Sequence, residues 1–293
     1  VLHMSVKLMV DSACDIARDE VVAAGAAFLP LHVRMGDHEY LDGVDLTHEE
    51  FYNRLTQGKE QPTTSQISPG FFEEAFRRSL AKDEEVVCLT VSSGLSGTCA
   101  SALMARDELP PLQRRRVHVV DSENVSIGEQ VLARLALRLI EQGIGAADLA
   151  AELDVRKQDI RVFALLDTLE YLRRGGRVPA AAAAVGQLLS IKPVISVEGG
   201  EVVVLGKARG SKNGRNLLTQ QIEKSGGIDF SMPIALGYAG LDDGLLRKYI
   251  EDSRGIWEAS VHADELPIHS VGATIGTHVG PGAIALAFFK KSA

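Results

Sequence analysis

The sequence predicts an α/β protein of two domains, the N-terminal one built on a doubly wound, mainly parallel sheet and the C-terminal one on a largely antiparallel sheet. Three observations carry this. A chain of 293 residues exceeds what one domain of about 150 residues needs. The first half alternates short apolar runs with amphipathic helical segments, the pattern of parallel strands joined by helical crossovers. The second half brings two strand-like runs together across Glu198-Gly-Gly-Glu201, which reads as an antiparallel hairpin.

The elements follow in order. Val6–Val10 is an apolar run ending in Asp11-Ser12, and a helical segment over 15–24 comes next. A second run extends from Phe28 to Met35. Thr47-His-Glu-Glu50 has capping-box spacing and opens a helix through Leu55. Ser68-Pro69 supplies an N-cap and a first-turn proline, and Phe71, Phe72, Ala75, Phe76 and Leu80 then recur at helical period. Val86–Val91 is continuously apolar, as a strand covered on both faces should be. A helix is expected from about Ser96 to Glu108, then the strand Val117–Val120, again ending in Asp-Ser. Val131, Leu132, Leu135, Leu139 and Ile140 mark one face of a long helix.

In the second half, Arg161–Leu166 reads as a strand and Thr168–Arg174 as a short helix ended by two glycines. Pro179–Leu189 reads as an alanine-rich helix, Lys192–Val197 and Val202–Leu205 as the hairpin strands, and Ile234–Tyr238 as a further strand. Ala283–Phe289 closes the chain as a strand after a glycine-rich turn. The domain boundary is placed near residue 159, giving domains of residues 4–158 and 159–293.

Composition narrows the function. A formal charge of −8 lacks the basic face that nucleic-acid binding needs, and Arg114-Arg-Arg116 reads as a solvated loop. No apolar stretch approaches the ~18 residues of a membrane span, so stable membrane insertion is not expected. Cys14, Cys88 and Cys99 have no pairing or metal-ligand spacing, which suggests a reducing compartment. With no signal-peptide pattern, the expected location is the cytoplasm.

Three apolar runs end in the same chemistry: Asp11-Ser12, Ser92-Ser93 and Asp121-Ser122. Ligands of open parallel sheets bind beyond the carboxyl ends of the strands, where these endings would meet. The cluster Ser92-Ser-Gly-Leu-Ser-Gly-Thr98 adds glycines 94 and 97, which let backbone approach a ligand, and a helix start that favours an anion. Asp11 and Asp121 read as loop braces, since a carboxylate repels an anion. Ser93 and Ser96 read as binding residues, with plain N-capping the alternative. Neither GxxxxGK[ST] nor GxGxxG nor GxSxG occurs, and no histidines fall at metal spacing, so no metal is expected. A second hydroxyl-rich loop spans Gln61–Gln66, and a glycine-rich loop, 276–283, holds His278.

Taken together, Pro62-Thr-Thr-Ser-Gln66, Ser92-Ser-Gly-Leu-Ser-Gly-Thr98, Leu172-Arg-Arg-Gly-Gly-Arg177 and Gly276-Thr-His-Val-Gly-Pro-Gly282 resemble the DegV family. This family comprises fatty-acid-binding proteins that serve as the acyl-carrying subunit of bacterial fatty acid kinase. The motifs stand in family order across almost the whole chain. The resemblance implies one long-chain fatty acid, of the palmitate or stearate class, buried between the two domains, and no other cofactor. It implies a carboxylate held by Thr64, Ser93 and His278, with Ser96 a weaker candidate. It also implies that Arg177, and with it Arg209, faces an ATP-dependent kinase subunit that phosphorylates the carboxylate, this chain being no enzyme itself. For Arg177 the alternative is a cation that simply ends its helix.

The chemistry is coherent. Burying a tail of about fifteen methylenes offers on the order of 12 kcal/mol before binding costs, so the tail dominates affinity. Neutral hydroxyls orient the head at ~1.5–3 kcal/mol each without blunting its nucleophilicity. Phe71, Phe72, Phe76, Leu188, Leu189 and Ile191 are possible tunnel lining, with ordinary core packing the favoured reading. The competing function is an enzyme acting on a small acyl or phosphorylated substrate, with Ser93 or Ser96 and His278 in nucleophilic or acid–base roles; the sequence shows no triad spacing for it. A purely structural interaction protein would leave the hydroxyl cluster without a ligand.

Overall fold

A computed structural model describes residues 4–178, 191–258 and 265–293. Strands β1 (Val6–Asp11), β2 (Ala27–Leu29), β6 (Glu85–Thr90) and β7 (Val117–Asp121) form a wholly parallel sheet in the order β2-β1-β6-β7. The chain leaves β1 toward β2 on one side and returns to β6 on the other. The crevice beyond the carboxyl ends of β1 and β6 is therefore the switch point of the sheet. Burial on both faces explains the uninterrupted apolar run of β6. Val86 and Cys88 enter one core with Phe72, Phe76, Ala102 and Ala105, while Val87 and Leu89 enter another with Val131, Leu135, Leu149 and Leu153. The sheet is doubly wound.

The run from Phe28 to Met35 is two strands, not one. Pro30 breaks it, since proline has no N–H to give to a ladder. The second piece, β3 (His32–Met35), pairs antiparallel with β4 (His38–Leu41) and β5 (Thr63–Ser65) in a separate small sheet. The segment read as a hydroxyl-rich loop thus contains an edge strand. The helix expected from Asp15 starts at Arg18, because Ser12–Cys14 forms a 3-10 turn that ends on Asp15 in the left-handed region, φ 56°.

The second sheet takes β8 (Ile160–Leu165), β9 (Ile191–Glu198), β10 (Glu201–Arg209), β11 (Ala235–Tyr238), β12 (Ile268–Ser270) and β13 (Ile284–Phe289). Its order is β10-β9-β8-β13-β11-β12, antiparallel except between β11 and β12. One face packs on helices Gly210–Lys224 and Gly244–Asp252 through Leu218, Ile222, Leu246 and Tyr249. The opposite face meets helix Ile127–Glu141, which also packs on β1 and so stands between the two sheets. The alanine-rich helix expected over Pro179–Leu189 lies outside the described residues.

The β9–β10 hairpin turns on Gly199 and Gly200, both at positive φ (59° and 82°), as a two-residue turn of the I′ kind requires. Its tip docks on the first half of the chain. Ser92 Oγ donates to the Gly200 carbonyl at 2.6 Å. A Cβ on Gly94 would stand 2.7 Å from that carbonyl, and one on Gly97 would overlap the Gln66 side chain. These two glycines make room for the protein's own groups, which corrects the expectation that they admit a ligand. The loop carboxylates act as braces: Asp11 accepts from Ala13 N (3.0 Å) and Val91 N (2.6 Å), and Asp121 from Ser93 N (3.2 Å) and Glu123 N (2.9 Å).

The docked turn makes a test. Gly200→Ala meets both a left-handed backbone and Ser92 Oγ, 2.6 Å from the added Cβ, whereas Gly199→Ala meets the backbone alone. Urea unfolding should show roughly 1 kcal/mol lost for Gly199→Ala and distinctly more for Gly200→Ala. Equal losses would mean that the hairpin tip is not seated on Ser92.

Candidate functional site

His278 is placed by a helix, Ala273–Val279, rather than by the glycine-rich loop the sequence suggested. Gly276 is mid-helix, and its reason is close packing: a Cβ there would stand 2.6 Å from Tyr52 Oη and 2.7 Å from Phe51 Cε1. The start of this helix is held by two buried carboxyl groups from the first half of the chain. Gly272 N donates to Asp15 Oδ1 at 2.8 Å, and Ala273 N and Thr274 N donate to the two oxygens of Asp42 at 3.2 and 3.4 Å. Burial pushes the Asp15 carboxyl up to about 8 and raises that of Asp42 as well. Tyr52 Oη adds a hydrogen bond to the Val271 carbonyl at 2.8 Å.

At the other end of the helix, His278 Nε2 and Thr64 Oγ1 lie 2.8 Å apart. The ring packs against Gly175, where any Cβ would overlap its Nδ1 and Cε1, so this glycine makes room for the histidine. Nδ1 is buried and has no hydrogen-bond partner among the described residues. Burial, with the Arg177 charge adding to it, lowers the imidazole to about 4, so the ring is neutral at neutral pH. Arg177 is itself tethered, donating from Nη1 to the Gly175 carbonyl at 2.6 Å and from Nε to that of Leu95 at 3.3 Å. Ser96 Oγ lies 2.9 Å from Thr98 Oγ1 and accepts from Thr98 N at 3.2 Å, so the following helix begins at Thr98.

Thr64, Ser96, Arg177 and His278 line one cavity. The centre of a water-sized sphere can move through about 110 Å³ of it, within about 1000 Å³ of unfilled space that includes its open mouth. Beyond those groups its walls are mostly apolar: Leu31, Val91 and Leu95 from the first half, Ala164, Ile195, Val202 and Ile284 from the second. Thr64, Arg177 and His278 also face an outer groove with Thr63, Arg174 and Tyr171, so they stand at the threshold between interior and surface.

One of the residues expected at the carboxylate is placed elsewhere. Ser93 is exposed and does not line the cavity; of the two serines in the loop, Ser96 is the one that faces it. Arg209, expected to face a partner rather than the cavity, is exposed at the end of β10. Phe72 and Phe76 are core residues, Phe71 is partly exposed, and Ile191 is not among the lining; Leu188 and Leu189 lie outside the described residues. The sequence reading missed Gln66, which lines the cavity and donates to Ser101 Oγ at 3.2 Å, and missed the roles of Asp15 and Asp42. Asp15 follows the Asp11-Ser12 ending closely enough to have drawn notice; nothing marked Asp42. Among the described residues, no His, Cys, Asp and Glu group is arranged to hold a metal ion, and no helix is long and apolar enough to cross a membrane.

The histidine sets a pH signature. Its folded value, about 4, is below the ordinary 6.5, so stability tied to the neutral ring is present above about 6.5 and lost as pH falls toward 4. His278→Gln should therefore lose less stability than the wild type across that window in unfolding titrations. Parallel curves would show that the imidazole is not held neutral by the fold.

Comparison with known proteins agrees with this architecture. The family model described as "Uncharacterised protein, DegV family" matches residues 5–291. A DegV domain-containing protein of Caldanaerobacter subterraneus is 33% identical over 291 residues, covering 98% of this chain and 99% of its own. A DegV family protein from Thermus thermophilus, described by its fatty acid binding, superposes with a TM-score of 0.85 at 32% identity, covering 98% of this chain and all (100%) of its own. DegV of Bacillus subtilis, described as a fatty acid binding protein, gives 0.82 at 27% identity with 98% and 100% covered. With its two large sheets and a family match over nearly its full length, this chain belongs to the DegV family.

Proposed function

We propose that this protein binds one long-chain fatty acid, with the tail in the apolar cavity and the carboxylate at its threshold, and presents that carboxylate to an ATP-dependent kinase subunit. The observation that carries the reading is the cavity itself: greasy walls from both halves of the chain, 4–158 and 159–293, ending at Thr64, Ser96 and His278. Fatty acid binding by the structural neighbours supports it.

Thr64 and Ser96 are the carboxylate donors in this reading, Ser96 taking the place that resemblance had given to Ser93. A neutral His278, hydrogen-bonded to Thr64, fixes the direction of that hydroxyl. Such donors leave the bound oxygen nucleophilic. In the partner's site it attacks the terminal phosphorus of ATP; the new P–O bond forms as the bond to the leaving ADP breaks, and the acyl phosphate remains on this chain. Arg177 lies where such a partner would dock, its guanidinium tied to two backbone carbonyls and facing the outer groove. Arg209 is exposed and available to the same partner. The alternative of an enzyme is not favoured, since His278 Nε2 is paired with Thr64 and has no hydrogen bond to either serine among the described residues.

Extraction and gas chromatography of the purified protein should recover a long-chain fatty acid at about one per chain. Protein that is empty and also refuses added palmitate would overturn the reading. Ser96→Ala should weaken palmitate binding by about 1.5–3 kcal/mol, the worth of a charge-assisted hydrogen bond, while Ser93→Ala leaves it unchanged.

A further inference from the structure

Helix Ala273–Val279 forms one wall of the cavity. Thr274, Ile275, His278 and Val279 all line it, a three-and-four spacing that marks one face of the helix, and Val271, just before the helix, lines it too. At about 1.5 Å per residue, Thr274 and Val279 lie roughly 7.5 Å apart along the helix. His278 stands at the polar end against Thr64, and Val271 at the other.

The floor at the Val271 end is the second sheet. Register places Ile195 beside Ala164, Ala164 beside Ala285, and Ala285 beside Gly237. All four line the cavity, so one row crossing β9, β8, β13 and β11 falls from a large side chain to none. Around Gly237 the space closes quickly: a Cβ there would stand 3.2 Å from Ile127 Cγ2 and 3.4 Å from Val271 Cγ2, and both of those residues line the cavity too.

We infer that Gly237, bounded by Ile127 and Val271, is the stop that sets how long an apolar tail the cavity accepts. This rests on the reading above that the head lies at Thr64 and Ser96. The tail runs from there along the helix stripe, crosses the alanines of the row, and ends over the bare backbone of Gly237. A methyl at 237 occupies space the last tail carbons need, and a smaller residue at 271 opens space beyond them.

The test measures laurate, palmitate and stearate binding, and the co-purified lipid, for the wild type, Gly237→Ala and Val271→Ala. Gly237→Ala should lower the affinity for stearate relative to laurate by about tenfold, the effect of leaving one or two methylenes unburied. Its co-purified acids should be shorter. Val271→Ala should shift both measures the opposite way. If Gly237→Ala does not fold, the direction of the Val271→Ala shift decides alone. A folded Gly237→Ala with the wild-type order of affinities, or a Val271→Ala protein that does not shift toward longer acids, overturns the inference. A wild-type protein that binds no fatty acid overturns the functional reading instead, which keeps the two failures distinct.

Discussion

The site depends on one constraint: the short helix carrying His278 must be seated on carboxyl groups that come from the other half of the chain. Asp15 and Asp42 are both buried, and both accept backbone N–H groups from the start of Ala273–Val279. Seven residues make too short a helix to persist alone. Satisfying its first N–H groups with buried acceptors fixes its position and direction, and the last turn then delivers His278 to Thr64. Gly276 against Phe51 and Tyr52, and Gly175 against the imidazole, remove the side chains that would push this helix away.

The same joint carries an internal opposition. Desolvation raises Asp15 and Asp42 and lowers His278, so the carboxyl end of the arrangement resists ionisation and the histidine end resists protonation. For Asp15, whose value is raised to about 8, the associated stability is complete below its ordinary 3.8 and lost as pH rises toward 8; for His278 the loss comes on acidification. At the threshold the neutral His278 adds no charge, and the Arg177 cation stands there. That guanidinium donates to the carbonyls of Leu95 and Gly175, which occupies part of its fork of donors.

What could be read in advance follows the physics of burial. The strand Glu85–Thr90 was legible because a strand covered on both faces shows an unbroken apolar run, and the hairpin because two successive glycines at positive φ demand it. Thr63–Ser65 was not, since a half-exposed edge strand of hydroxyl residues looks like a loop. His278 lines the cavity, but from a helix rather than from the glycine-rich loop expected. Glycine punctuates turns and also permits close helix packing, and only the positions of Phe51 and Tyr52 tell which applies at Gly276. Ser93 and Ser96 share one loop, and spacing alone does not say which hydroxyl turns inward. The brace from Asp121 to Ser93 N and the turn from Ser96 to Thr98 decide it.

The central claim is that an acid's tail lies between the two sheets with its head among uncharged donors at the threshold. A crystal structure of the protein grown with palmitate tests it most directly. The account expects the carboxylate within hydrogen-bonding distance of Thr64 and Ser96, beside His278, and the tail running toward Val271. A carboxylate at the Val271 end, or palmitate seated outside the cavity, would contradict it.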